Sequence, residues 1–83
     1  MKILITGGGG FIGGHLANFY QKKGYQIVSV DVKNKKSWFQ INSSNKNIHA
    51  DCRDPLVCDR IVKGVDYIFN LACDMGGMGF IEN

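Results

Sequence analysis

Ile3-Leu4-Ile5-Thr6-Gly7-Gly8-Gly9-Gly10-Phe11-Ile12-Gly13-Gly14-His15-Leu16 is the stretch on which the fold turns. An apolar run stops at Thr6, four glycines follow, and an amphipathic pattern of helical period begins. The order is buried strand, tight turn, helix N-terminus. Gly7, Gly10 and Gly13 stand three residues apart, the spacing a dinucleotide-binding turn needs. The first permits the sharp exit from the strand, and the second leaves the backbone bare for a pyrophosphate. The third lets helix and strand pack closely. The positive end of the helix then faces the phosphates. A glycine turn alone could also be a mere corner in the chain. Its neighbours argue otherwise, because a strand precedes it, a helix pattern follows, and Asp31 closes the next strand. A P-loop is excluded: no glycine is followed by Lys-Ser or Lys-Thr, and His15 follows Gly14 where a P-loop lysine would stand.

The chain of 83 residues makes one small domain at most. At this length folding buries only roughly 60–65% of the unfolded surface, so the core is marginal. Its net charge of +3 is mild. The lysines are not interleaved with stacking aromatics and no nucleic-acid motif occurs, so the basic residues read as a solvated rim and no nucleic-acid partner is expected. Cys52, Cys58 and Cys73 form neither a disulfide framework nor a zinc ribbon. His49 precedes Cys52 by three residues without a second ligand pair, and no metal is expected. Reduced thiols and the lack of a leader or of a membrane-spanning apolar run suggest a cytoplasmic protein without a membrane partner.

Taken in order, Ile3–Ile5 predicts a strand buried on both faces. A helix is expected from about Phe11 to Lys23, with Ile12, Leu16, Phe19 and Tyr20 on its inner face and Gly24 as its stop. Tyr25–Val30 is the second strand. Asp31 at its end is placed to accept hydrogen bonds from an adenosine ribose, favouring NAD over NADP. The same carboxylate could instead close the strand-end turn, and Lys33, Lys35 and Lys36 could neutralise a 2′-phosphate. Lys33–Lys46 reads as a polar surface excursion with a local apolar anchor at Trp38, Phe39 and Ile41. Asn47–Ala50 is a short third strand. Asp54 and Pro55 open a second helix to about Lys63, with Leu56, Val57, Ile61 and Val62 inward. Asp66 starts a fourth, nearly continuously apolar strand through Ala72. Alternating strands and helices with right-handed crossovers predict a Rossmann-like, doubly wound parallel sheet. Its strand order is 3-2-1-4, the N-terminal half of a dinucleotide fold spanning residues 1–83, with its crevice between strands one and four.

These residues resemble the extended short-chain dehydrogenase/reductase superfamily of NAD-dependent nucleotide-sugar epimerases and dehydratases. Thr6-Gly7-Gly8-Gly9-Gly10-Phe11-Ile12-Gly13 looks like that family's Thr-Gly-x-x-Gly-Phe-Ile-Gly turn. The resemblance implies cofactor contacts at Gly7, Gly10, Phe11, Ile12 and Gly13. It makes Asp31 the ribose acid and Asp51 the acceptor for the adenine amine, with the Cys52 backbone N–H on the ring. Asn70-Leu71-Ala72 looks like the strand end lining the nicotinamide ribose, which brings in Leu71 and Ala72. Asn70-Leu71-Ala72-Cys73-Asp74-Met75-Gly76-Gly77-Met78-Gly79-Phe80-Ile81 is similar to the segment Asn-Leu-Ala-Ala-Asp-Met-Gly-Gly-Met-Gly-Phe-Ile of the GDP-mannose 3,5-epimerase family, with Cys73 in place of alanine. That likeness implies a nucleotide-sugar substrate, a GDP-hexose, contacted by Gly76 and Gly77. It implies transient oxidation of the hexose at C4, inversion, re-reduction, and a homodimeric parent protein.

No catalytic residue is expected in this chain. Tyr20, Tyr25 and Tyr67 are followed four residues later by Gly24, Ser29 and Leu71, so the superfamily's Tyr-x-x-x-Lys pair is absent. The chain therefore reads as an N-terminal fragment, inactive alone. Another extended short-chain epimerase or dehydratase, and a dinucleotide-binding sensor without turnover, remain alternatives.

Overall fold

A computed structural model describes residues 1–72. Its elements run β1 (Lys2–Thr6), α1 (Phe11–Lys22), β2 (Gln26–Asp31), a short 3-10 turn (Lys35–Ser37), β3 (Lys46–His49), α2 (Pro55–Ile61) and β4 (Tyr67–Asn70). The strands form one sheet in the order β3-β2-β1-β4. All three pairings are parallel, with Ile3 opposite Ile27 and Tyr67, and Val30 opposite Ile48. The expected Rossmann-like order is the observed one.

Strand alternation sorts the core into two layers. Ile3, Ile5 and Ile27 face α1, where they meet Ala17 and the partly buried Leu16, Tyr20 and Phe69. Leu4, Val28 and Val30 face the other way, against Ile48, Ala50, Cys52, Ile61 and Val65. The central strands thus carry apolar residues on both faces, as a sheet covered on both sides requires.

The helices depart from the expected apolar faces. In α1, Leu16 and Tyr20 pack inward, but Ile12 and Phe19 are 64% and 52% exposed. The buried residues are Gly13, Gly14 and Ala17. Gly13 packs on the Gly7–Gly8 backbone, Gly14 lies against the Gln40 side chain and Ala17 meets Ile3, Ile5 and Ile27, so small residues occupy the contact line and the bulky ones are turned aside. α2 ends at Ile61, short of Lys63. Its Asp54 side chain caps it by accepting the Leu56 N–H at 3.0 Å, and Pro55 opens it. Leu56, expected inward, is 70% exposed, and Val62 is also exposed. Ile61 alone of the expected face joins the buried cluster. β4, expected to be buried, leaves Tyr67 and Ile68 exposed.

Candidate functional site

The site begins where β1 ends. Gly7 leaves the strand at a φ of +78°, in the left-handed region that side chains rarely adopt. The Gly7 and Gly8 N–H groups both donate to the Val30 carbonyl, at 2.8 and 3.0 Å, folding the turn over β2. A Cβ on Gly8 would stand 2.7 Å from the Ser29 Cβ, and one on Gly13 would overlap the Gly7 carbonyl oxygen. The turn, the strand and the helix are therefore packed backbone to backbone. Gly10 differs: a Cβ there would meet only the Gly7 oxygen, at an ordinary 3.5 Å. Nothing in the packing of the described residues requires Gly10 to be bare. Gly10 is also the N-cap of α1, so no side chain caps the helix, and its first turn holds no acid. Those N–H groups and the positive helix end form a site for an anion.

Asp31 fixes the turn from β2. It is 7% exposed. Its Oδ2 accepts the Gly9 N–H at 2.9 Å and its Oδ1 accepts the Lys33 N–H at 3.0 Å. The excursion after β2 folds back over the same turn. The Phe39 N–H donates to the Gly9 carbonyl at 2.8 Å. Trp38 is 7% exposed, and a Cβ on Gly9 would touch its ring at 2.6 Å. The Trp38 Nε1–H donates to the Lys33 carbonyl at 2.9 Å. The apolar anchor expected in this excursion is thus Trp38 set above the glycines, whereas Phe39 and Ile41 remain exposed.

The facing side is made by β4 and by the loop after β3. The Thr6 hydroxyl donates to the Asn70 side-chain carbonyl at 2.6 Å, and the Leu71 N–H donates to the Thr6 carbonyl at 3.0 Å. A Cβ on Gly7 would stand 2.8 Å from the Leu71 carbonyl carbon, so the two sides touch there. At the far end the Ala50 N–H donates to the Asp31 carbonyl. Asp51 follows and pairs with Arg53. The Arg53 NH2 group donates to Oδ2 at 2.8 Å, its Nε–H to Oδ1 at 3.0 Å, and its backbone N–H to Oδ1 at 2.9 Å. These hydrogen bonds, the side-chain ones foremost, pull the Asp51 carboxyl down from 3.8 to about 2. Burial pushes the Cys52 thiol up, with Cys58, Asp51 and Asp31 adding to the effect, so it stays protonated at neutral pH.

A cleft of 360 Å³ brings together Gly7, Gly10, Asp31, Asp51, Cys52, Leu71 and Ala72, with Val32, Lys33, Ala50 and Arg53. Three of the expected cofactor residues do not line it. Gly13 lies beneath the turn and sets its closeness. Phe11 and Ile12 carry their side chains to the outer side of α1, where Phe11 meets His15 and Phe39 at ring separations of 4.5 and 4.8 Å. Only their backbone belongs to the helix start. Gly76 and Gly77, expected at a sugar, lie outside the described residues, as does Cys73. Lys33 and Arg53 were not singled out as site residues from the sequence. For Arg53 the available signal was Asp51-Cys52-Arg53, a spacing that lets one carboxylate accept both the N–H and the side chain two residues on.

With this geometry established, residues 3–80 match the NAD dependent epimerase/dehydratase family. The chain is similar to GDP-mannose 3,5-epimerase 1 of Oryza sativa subsp. japonica, at 40% identity over all 83 residues. It spans 22% of that relative's length. Among solved structures it is similar to UDP-glucose 4-epimerase of Thermotoga maritima with UDP-glucose, with a TM-score of 0.77 and 29% identity over 89% of this chain and 25% of that one. It is also similar to UDP-glucose-4-epimerase of Stenotrophomonas maltophila with bound NAD, with a TM-score of 0.76 and 25% identity over 96% of this chain and 26% of that one.

Proposed function

The chain belongs to the NAD dependent epimerase/dehydratase family, and from that premise we propose that it is the dinucleotide-binding part of a sugar-nucleotide epimerase that takes NAD and a GDP-hexose. The observation that carries the reading is Gly10, an open position at an uncapped helix start, inside a cleft that also holds Asp31 and Asp51. These residues fit the cofactor. Gly10 leaves room for a pyrophosphate beside the first-turn N–H groups of α1. Asp31 accepts one N–H on each oxygen, and a carboxylate offers about four acceptor positions, so it retains capacity for ribose hydroxyls. Its negative charge opposes a 2′-phosphate. Asp51 supplies an ionised acceptor for the adenine amine at the other end. Leu71 and Ala72, tied to Thr6, form the side toward the nicotinamide.

Gly10, Asp31 and Asp51 would hold NAD, which would supply a reversible hydride acceptor for the sugar. This chain's residues bind and orient; no tyrosine here is followed four residues later by a lysine, so they hold no proton for that transfer. On this reading the 83 residues alone do not turn over sugar. The GDP-hexose is supported by 40% identity to GDP-mannose 3,5-epimerase 1 along the whole chain, and by the resemblance carried by residues 70–81.

The test uses the full-length parent protein. Calorimetry should detect NAD binding, and NMR of the products should show GDP-mannose inverted at C3 and C5. Turnover of UDP-glucose and not GDP-mannose would move the protein to the 4-epimerases. Failure to bind NAD would overturn the reading altogether.

A further inference from the structure

The two carboxylates of the cleft are held in different ways. Asp31 is buried and gripped by backbone N–H groups on both oxygens. Asp51 is gripped chiefly by one side chain, with the Arg53 backbone N–H also donating to its Oδ1 at 2.9 Å. Arg53 spans both its oxygens, with Nε 3.0 Å from Oδ1 and 3.3 Å from Oδ2 and the terminal nitrogen 2.8 Å from Oδ2. The loop that carries the pair is anchored at both ends. Ala50 donates to the Asp31 carbonyl at 3.0 Å, and the Asp54 N–H donates to the Asp51 carbonyl at 3.1 Å. The main chain at Asp51 is thus fixed by its neighbours, and Arg53 fixes the torsions of its side chain. Arg53 itself lines the cleft beside Asp51.

We propose that Arg53 is the positioning residue of the nucleobase end: its guanidinium fork holds the Asp51 carboxylate as an oriented, acceptor-only group, and so makes the cleft select a base bearing an amino group over one bearing a carbonyl. The inference rests on the dinucleotide reading above and deepens it. The chemistry follows from the donor and acceptor inventory. An ionised carboxylate accepts and cannot donate. Opposite it, the exocyclic amine of adenine makes a charge-assisted hydrogen bond, whereas the carbonyl of hypoxanthine at the same place meets acceptor with acceptor. A carboxylate free to rotate would discriminate less, since it could turn away. The fork prevents that. The Asp51 and Arg53 side chains are 40% and 78% exposed, and such pairs contribute little to folding. Urea unfolding of each variant, run beside the titration, separates a loss of folding from a loss of binding.

The experiment titrates NAD and its hypoxanthine analogue into the full-length protein and its Arg53→Gln, Arg53→Lys and Asp51→Asn variants by calorimetry. The unaltered protein should favour NAD by about tenfold or more, the range of one hydrogen bond to a charged group. Asp51→Asn should abolish the preference, because an amide can donate as well as accept. Arg53→Gln should bring the ratio most of the way to that of Asp51→Asn by weakening NAD while leaving the analogue nearly unchanged. Arg53→Lys should restore part of it, keeping the charge without the fork. An unchanged ratio in Arg53→Gln would overturn the inference, as would an equal loss for both dinucleotides, which would make Arg53 a direct contact. If the unaltered protein bound neither, the cofactor reading would fail first and this inference with it.

Discussion

The two sides of the cleft are built differently. On one, β1, the glycine turn, α1 and β2 close on each other, with every residue from Ile3 to Thr6 and from Ile27 to Asp31 buried. On the other, β4 and the loop after β3 contain no fully buried residue, and Tyr67 and Ile68 are more than half exposed. The functional groups follow the same division. Asp31 is buried and held by the backbone alone, whereas Asp51 is accessible and held chiefly by the Arg53 side chain. The glycine turn with Asp31 is therefore part of the folding core, and the loop carrying Asp51 is mounted on its edge. Changes on the first side should cost stability and binding together. Changes on the second should separate the two.

The largest effect is expected where the sides touch. Gly7→Ala puts a side chain into a left-handed φ and against the Leu71 backbone. It should cost about 3 kcal/mol in urea unfolding of the full-length protein. Gly10→Ala is its control. The Gly10 backbone is extended, at φ −84° and ψ 175°, and the added methyl meets nothing closer than 3.5 Å. Stability should stay within about 0.5 kcal/mol while NAD binding weakens by about tenfold or more. A Gly7→Ala protein as stable as its parent would show that the two sides do not bear on each other at that point.

Next in size is Asp31→Ala. It strands the Gly9 and Lys33 N–H groups and should cost about 2 kcal/mol, besides weakening NAD and narrowing its advantage over NADP. Asp51→Ala should leave stability nearly unchanged, since an exposed ion pair contributes little to folding. Equal losses from the two would erase the distinction drawn between them.

How much of this could be read beforehand also divides along the same line. The glycine spacing, the strand-end acid and the sheet order were legible because each is a local pattern with one backbone solution. The inner face of α1 was not. Apolar residues lie on both sides of that helix, so periodicity pointed to Ile12 and Phe19, while close approach to the sheet selected Gly13 and Ala17. The exposure of Leu56 and Ile68 depends on what covers α2 and β4, which no local pattern states. Trp38 above Gly9 joins residues distant in sequence through a polar excursion without regular period. Arg53 was passed over because one arginine beside an acid carries no spacing rule beyond the turn itself.

The smallest expected effect is a titration. Arg53 holds the Asp51 carboxyl at about 2, below its ordinary 3.8. A carboxyl whose folded value is depressed contributes stability above its unfolded value, and that contribution is lost as pH falls through the folded one. The window is therefore pH 3.8 down to about 2, and the pair is fully formed at neutral pH. Carbon-detected NMR should find the Asp51 carboxyl titrating near the lower value, and Arg53→Gln should raise it toward the upper. No movement in the variant would mean that Arg53 does not hold the carboxylate in solution.

Trp38 has a consequence of another kind. It is the single tryptophan of the chain, buried against Gly9 and hydrogen-bonded to the Lys33 carbonyl, with the N–H groups of both residues held by Asp31. Its ring is a chromophore bolted to the glycine turn. Its emission wavelength and quenching register water reaching that turn. The chain thereby carries an optical gauge for the packing of its glycine turn, with no label added.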